Sequence, residues 1–549
     1  MVNFGPSLRT YASQREVVYA RRGMVCTTQP LASQAGLAML KKGGNAIDAA
    51  IAAAACMTVL EPTSNGIGGD AFALVWCQNH LYGLNSSGFA PQAITAEAVR
   101  SRYGHTMPTR GFVPVTVPGI PAAWASLSER FGTLPFEELL EPAITHAEEG
   151  YPLAATTASL WKEASNTFAP YSDDPAFAPW FETFLPNGKT PDAGDIIVLP
   201  DHAKTLRTLA QSRCHDFYSG DLADRIDAFA HAHGGFLRKS DLECFSPEWV
   251  SPISTTYRGY TVHEIPPNGQ GLIALMALNI LENFEPTADM ADTVHHQIEA
   301  MKLAFSDGTA YITDPKAMPI STETLLSKAY SCERYAQIHA KAQVFGPGNP
   351  YSGGTVYLAA ADGMGNMVSF IQSNYQGFGS GIVIPDTGIA LQNRGANFSL
   401  DPQSPNCLAP GKKPYHTIIP GFLSRDNHPI GPFGVMGAFM QPQGHLQVIS
   451  NTVDRAMNPQ ESLDAPRWQW LGEKRIEVEM EFPRAIIQSL LSRGHDVRIV
   501  SNYNAMGRGQ IIWRKQNGVL VGGTEKRAAK SRACCSWRAA PRTCPSRDR

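Results

Sequence analysis

Apolar and polar positions divide this chain near its middle: the part before residue 355 reads as rich in helices and the part after it as rich in strands. Residues 30–60 form an alanine-rich helical stretch broken at Gly43-Gly44, and their small side chains let another element approach closely. Residues 121–131 open on proline and stop at Gly132, a placement that suits a helix. Further helices are predicted at 135–149, 202–211, 272–281 and 295–305, with helical character fading after Ala342. A glycine-rich loop from Glu61 to Asp70 leads into a strand-like run at 71–76. It lacks both the Lys-Ser/Thr of a P-loop and the GxGxxG spacing, so it reads as a tight structural turn. In the second half, strands are predicted at 377–385, 388–392, 417–422, 432–436 and 475–481, and a helix at 443–455.

The junction between the halves carries the most informative local pattern. Residues 344–354 are a Gly/Pro/Ser-rich linker, the kind of segment where a chain is exposed and cut. It is followed by an apolar run from Thr355 to Ala361, a turn cluster at 362–366, and a second run from Met367 to Ser373, which together read as a hairpin. With a register symmetric about the turn, Ala361 faces Met367 and Ser373 stands opposite Thr355. A hydroxyl then lies beside a threonine preceded by Gly354, the least hindered residue for a strained peptide bond. Taken alone, the pattern also fits an ordinary buried hairpin in which Thr355 is only a good strand former.

Composition narrows the setting. The chain has 549 residues, 43% hydrophobic and 17% charged, which is ordinary for a soluble globular protein with a sizeable core. A net charge of −3 and a pI near 6.6 give no reason to expect a nucleic acid or a membrane surface as partner. The charge is uneven: residues 526–549 hold eight basic residues against one acid, which leaves residues 1–525 at −10. That basic end is expected to be a disordered tail. No basic segment followed by an apolar run opens the sequence and no window reaches the length of a membrane span, so a cytoplasmic enzyme is expected. Ten cysteines are scattered without a CxxC pair or a Cys/His metal spacing; they read as buried free thiols, with neither metal nor cofactor expected.

Several segments in order carry a wider resemblance: Gly43-Gly-Asn-Ala-Ile-Asp-Ala-Ala50, Glu61-Pro-Thr-Ser-Asn-Gly-Ile-Gly-Gly-Asp70, Val117-Pro-Gly-Ile-Pro121, Pro267-Asn-Gly-Gln-Gly271, Glu299-Ala-Met-Lys-Leu-Ala-Phe305, the Thr355 hairpin and Leu463-Asp-Ala-Pro-Arg467. Each alone is weak, but their order and spacing over residues 18–525 resemble the gamma-glutamyltransferase (gamma-glutamyltranspeptidase) family, in particular its cytosolic, glutathione hydrolase-like branch. The resemblance implies an α+β fold, a four-layer αββα sandwich of the N-terminal nucleophile hydrolase type. It also implies cleavage between Gly354 and Thr355, giving a large subunit of residues 1–354 and a small one of 355–525 from one precursor, and it leaves open a dimer of these. A threonine hydroxyl is a poor nucleophile, but a freed α-amino group of reference pKa about 7.7–8.0 can serve as its base. One residue then supplies both. By the same resemblance Ser373 matches a second threonine that bonds the nucleophile's amine, and the backbone N–H groups of Met440 and Gln441 fall where the family has an oxyanion-binding glycine pair.

Departures from the family's pattern bear on substrate. The arginine that pairs with a glutamyl α-carboxylate corresponds to Ser87, and the aspartate that binds the α-amino group to Asn397. Arg394 appears three residues earlier, where it can take the carboxylate bidentately, or else be a solvated or structural arginine. A Ser-Ser pair becomes His416-Thr417, and His416 reads as a core or loop histidine, because Thr355 carries its own base. Residues 399–413 form a shorter loop than in lid-bearing members, which suggests an open site. The expected activity is hydrolysis or transfer of γ-glutamyl amides such as glutathione to water or amines. The alternatives are a glutaryl or cephalosporin-type acylase and a non-catalytic binding paralogue, and intact Thr355 and Ser373 argue against the last.

Overall fold

A computed structural model describes residues 15–345, 354–528 and 534–535. Two seven-stranded antiparallel sheets form its centre. The first runs Val18–Ala20, Leu520–Thr524, Arg508–Arg514, His428–Met436, Gly421–Arg425, Tyr260–Glu264, Ile253–Tyr257. The second runs Cys534–Cys535, Gly23–Cys26, Gly354–Asp362, Met367–Tyr375, Asp70–Cys77, His80–Ser86, Glu248–Val250. Because side chains alternate across a strand, each buried strand serves two cores. Tyr357, Ala359, Ile371 and Phe72 of the second sheet meet Phe422, Met436 and Ile512 of the first. Their neighbours Val356, Leu358, Val368 and Phe370 turn the other way, onto helices Pro30–Lys41, Ala46–Leu60 and Phe136–Glu149. The outer face of the first sheet is covered by Gly271–Leu281, Met290–Tyr311 and Met440–Val453. The order is helix, sheet, sheet, helix, which is the αββα sandwich expected.

Ala46–Leu60 is buried along its whole length, and its alanines let it lie close against the sheet. Its start is fixed by a capping box: the Asn45 side chain accepts from the N–H groups of Ile47 and Asp48, and Asp48 accepts from the N–H of Asn45. Asp362 does similar work at the hairpin turn. Its Oδ1 accepts from the N–H groups of Met364, Gly365 and Asn366 at 2.9–3.0 Å, and its Oδ2 accepts from the N–H of Ala46 at 3.1 Å. One carboxylate thus closes the turn and ties it to the helix.

The structure departs from the sequence reading in three places. The half before 355 supplies seven of the fourteen strands in the two sheets, so the division at 354/355 is not a spatial boundary. The runs at 377–385 and 388–392 shrink to a ladder of Val383–Ile384 with Ile389–Ala390, as Gly379, Gly381 and Gly388 take positive φ and turn the chain. The basic tail does not begin at 526. Lys526 donates to the carbonyl of Asp464, Arg527 is buried between Glu479 and Glu525, and Cys534–Cys535 pairs with Met24 and Val25. Residues 529–533 and 536–549 of that tail, and 346–353 of the linker, lie outside the described residues. Among the described residues no helix is long and apolar enough to cross a membrane.

Candidate active site

The hairpin register runs from Ala361↔Met367 to Val356↔Gln372, and Gly354 pairs with Tyr375, so the ladder slips by one residue at its open end. The slip is a bulge. Thr355 and Ser373 still face each other on the side between the sheets, with Oγ1 and Oγ 3.1 Å apart and both residues buried. On the far side of Ser373 the next strand places Asp70 directly across from it. Three polar side chains thus stand in a row over three strands, Thr355, Ser373, Asp70.

Past the bulge Tyr375 has φ of 76°, unusual for a bulky residue. Its ring lies 4.5 Å below the guanidinium carbon of Arg394, which sits in a short 3₁₀ turn, Arg394–Asn397. Arg394 is fully buried. Its Nη1 donates to Thr417 Oγ1 at 2.7 Å and its Nε stands 3.9 Å from Asp70 Oδ2, yet Nε and Nη2 have no hydrogen-bond acceptor among the described residues. Burial lowers Arg394 to about 10, against the pull of Asp70. The same burial pushes Asp70 up to about 7, opposed by Arg394 and by the N–H of Gly88.

His416 completes this group. The N–H of Ile418 donates to its Nδ1 at 3.3 Å, so Nε2 carries the proton and gives it to Asp70 Oδ2 at 3.1 Å. Burial and then the neighbouring cations Arg394 and Lys413 hold His416 well below its ordinary value. A neutral imidazole with both nitrogens engaged and a face against Phe72 at 4.8 Å is a packing and orienting group.

The other expected site residues are placed differently. Ser87 bonds Asn85 and Asn268, with Oγ donating to Asn85 Oδ1 at 2.7 Å. Asn397 spends its amide on the Tyr415 carbonyl at 3.1 Å. The amides of Met440 and Gln441 donate to the carbonyls of Gly437 and Ala438 at 2.9 and 3.1 Å, because the chain closes two tight turns as it enters the helix Met440–Val453. As an oxyanion pair they would have to share those bonds. Gln441 also fixes the strand before it, its Oε1 accepting from the N–H of Ile419. The loop at 399–413 is folded onto itself through Asn406, which bonds Ser399, Thr313 and Asn397. Asp70 was missed by sequence reasoning, although an acid heading the apolar strand Asp70–Cys77 directly after two glycines is a readable signal.

Residues 32–535 match the model of the gamma-glutamyltranspeptidase family. The chain belongs to that family. It is 36% identical to the glutathione hydrolase-like YwrD proenzyme of Bacillus subtilis, over 93% of this chain and 98% of that one. It is also 36% identical to the oxamate amidohydrolase proenzyme of Klebsiella pneumoniae, over 92% and 97%. Among solved structures it resembles a cephalosporin acylase from Bacillus halodurans, with 57% identity, a TM-score of 0.95, and 98% and 100% of the chains covered. Like the members of this family it is an enzyme, and its fold is theirs.

One further group has ligand atoms close enough for an ion: His295, Glu299 and His495, within 4.8 Å of one another. Lys302 Nζ, 2.6 Å from Glu299 Oε1, already brings a cation there, and His295 Nδ1 lies 2.9 Å from His495 Nε2, a distance bridged by one proton. Glu299 and Lys302 also clamp the backbone of Gln343, just before the linker. The geometry is that of a strut.

Proposed function

We propose that the chain is cut between Gly354 and Thr355 and then hydrolyses or transfers the acyl group of carboxylate-bearing amides through a Thr355 ester. γ-Glutamyl amides such as glutathione are the first candidates as donors, and water or an amine the acceptor. The reading rests on the 3.1 Å contact of Thr355 with Ser373 at the head of a strand entered through Gly354. In the precursor Oγ1 attacks the Gly354 carbonyl, the Thr355 nitrogen leaves with a proton, and water hydrolyses the ester to a Gly354 carboxylate and a free Thr355 amine. In the cut enzyme that amine takes the hydroxyl proton as Oγ1 attacks the donor and returns it to the departing amine. Ser373 lies where its hydroxyl can orient the pair.

Arg394 supports the choice of a carboxylate-bearing donor. A fully buried guanidinium with two unpartnered nitrogens is costly, and a carboxylate accepting from Nε and Nη2 would repay it. The names of these relatives fit that requirement, since glutathione and oxamate both carry a carboxylate near a cleavable amide. The cephalosporin acylase likeness favours a second reading, glutaryl-type donors, with the same chemistry.

The test is processing followed by donor release. Wild type should give subunits of roughly 38 and roughly 21 kDa from the 59.5 kDa chain, as a cut between Gly354 and Thr355 would, and Thr355→Ala should stay one band. Normal processing of that variant, or no release from either γ-glutamyl or glutaryl anilide by the cut enzyme, overturns the reading.

A further inference from the structure

Arg394 is not a bare cation. Asp70 shares its buried neighbourhood, 3.9 Å from Nε, and no water-exposed surface separates the two groups. A donor carboxylate docking on Nε and Nη2 therefore brings a second anion to a guanidinium that already faces one, in surroundings that screen charge poorly. The other groups facing Asp70 are few. His416 gives it one N–H, Gly88 another, and Lys413, itself paired with Glu248, lies farther off. Tyr375 faces the same guanidinium from below, and the Tyr218 phenol, which feels Asp70, is pushed well above its ordinary value by burial. None of these can absorb an added negative charge.

We propose that Asp70 is the specificity-determining residue of the donor site: it admits a carboxylate only in company with a positive charge, either an ammonium on the acyl group or a proton taken up by Asp70 itself. This deepens the reading of Arg394 as carboxylate anchor and rests on it. An acyl head with ammonium and carboxylate together, as in γ-glutamyl, is neutral and satisfies both residues at once. A glutaryl head is an anion and must bring a proton. Asp70 thus restores the acid lost at Asn397, from a strand that is distant in sequence. Its burial places the protonation in the working range, near neutral pH.

The experiment compares kcat/KM for γ-glutamyl and glutaryl anilides in processed wild type, Asp70→Asn and Arg394→Ala from about pH 6 to about pH 8.5, where the Thr355 amine titrates equally for both donors. In wild type the ratio of γ-glutamyl to glutaryl should climb with pH, approaching about tenfold per unit on the alkaline side, as uptake of one proton requires. In Asp70→Asn the ratio should be flat, with the glutaryl donor relatively improved. A flat ratio in wild type overturns the proposal without need of any variant, and a climb that persists in Asp70→Asn overturns it too. Arg394→Ala separates the two levels. If it leaves kcat/KM for both donors unaltered, the anchor itself is wrong, whereas a fall for both with a flat wild-type ratio keeps the anchor and removes Asp70's part.

Discussion

Two buried arginines in this protein look alike by exposure and differ in how they are paired. Arg527 gives Nε and Nη2 to Glu479, Nη1 to Glu525 and the Leu463 carbonyl, and a further bond from Nη2 to the Ala465 carbonyl, while Arg467 closes the group from the other side of Glu525. Every nitrogen of Arg527 has an acceptor. Arg394, equally enclosed, has one bond to Thr417, a carboxylate slightly too far away, and two nitrogens with nothing to donate to. Folding alone accounts for the first constellation, which stitches the end of the strand Leu520–Thr524 to the turn around Asp464 and to the strand Arg475–Glu479. Folding does not account for the second in the same way. Burial of a charge therefore says little about function until the acceptors are counted.

The strongest way to break this comparison is to remove each cation in turn. Arg527→Met should cost about 3–5 kcal/mol of stability, because it strands two carboxylates that cannot both be neutralised cheaply. Arg394→Met should cost less than about 1 kcal/mol, since Asp70 can take a proton, while kcat/KM falls about a hundredfold. Chemical unfolding of both variants decides it; equal losses of stability would make Arg394 a structural arginine.

The two sites also respond to pH with opposite sign. Burial works against the Glu525 carboxylate, but Arg467 and Arg527 outweigh it and hold it down at about 2. A depressed acid gives stability that is full above its unfolded value and lost as pH falls, here on the order of 3 kcal/mol between about pH 5 and about pH 2. Asp70 is raised, so the folded state holds a proton that the unfolded chain has released, and its contribution declines as pH rises from about 4 towards 7. Stability measured against pH should lose its acid limb in Glu525→Gln and its neutral-side decline in Asp70→Asn.

A smaller effect links the donor group to the nucleophile. Ser373 stands between Thr355 and Asp70, so Ser373→Ala should slow both processing and turnover by roughly 1.5–3 kcal/mol, about tenfold to a hundredfold in rate. Single-turnover rates on fully processed variant would check the second half, and unchanged rates would place Ser373 outside the chemistry. The smallest effect concerns the chain end. Removing residues 529–549 should change stability by under about 1 kcal/mol, since of the described residues it takes a two-residue edge strand, whereas removing 526–549 takes Arg527 and should match the Arg527→Met loss. Similar melting of the two truncations would show that the buried pairing contributes little.

These residues also mark what could be read from sequence. The Thr355–Ser373 contact was legible because a compact turn fixes a hairpin's register, and Asp362 holds that turn as tightly as the symmetric reading requires. The bulge beyond it was not, since nothing in Ser373-Asn374-Tyr375 announces a slipped pair. Arg394 was noticed as a gained charge, but its vacancy is a matter of distances. Asp70 lay in plain view within a recognised motif and was read as part of a turn. Arg527 was hidden by its neighbours: a basic residue at the start of a basic run looks like the run. Met440 and Gln441 were placed by analogy with a glycine pair, and analogy does not report which carbonyls their amides would meet.

The hairpin turn held by Asp362 reaches further than the register. Its carboxylate bonds Ala46, Gln372 of the same hairpin bonds the carbonyl of Ala54, and strands from either side of residue 354 are hydrogen-bonded neighbours in both sheets. A cut before Thr355 would sever the backbone of an object that has no seam there. The two products should stay interlocked as a puzzle piece stays in its frame, and be separable only by melting both. Until such a cut, that bond keeps the halves at one concentration while the sheets interleave.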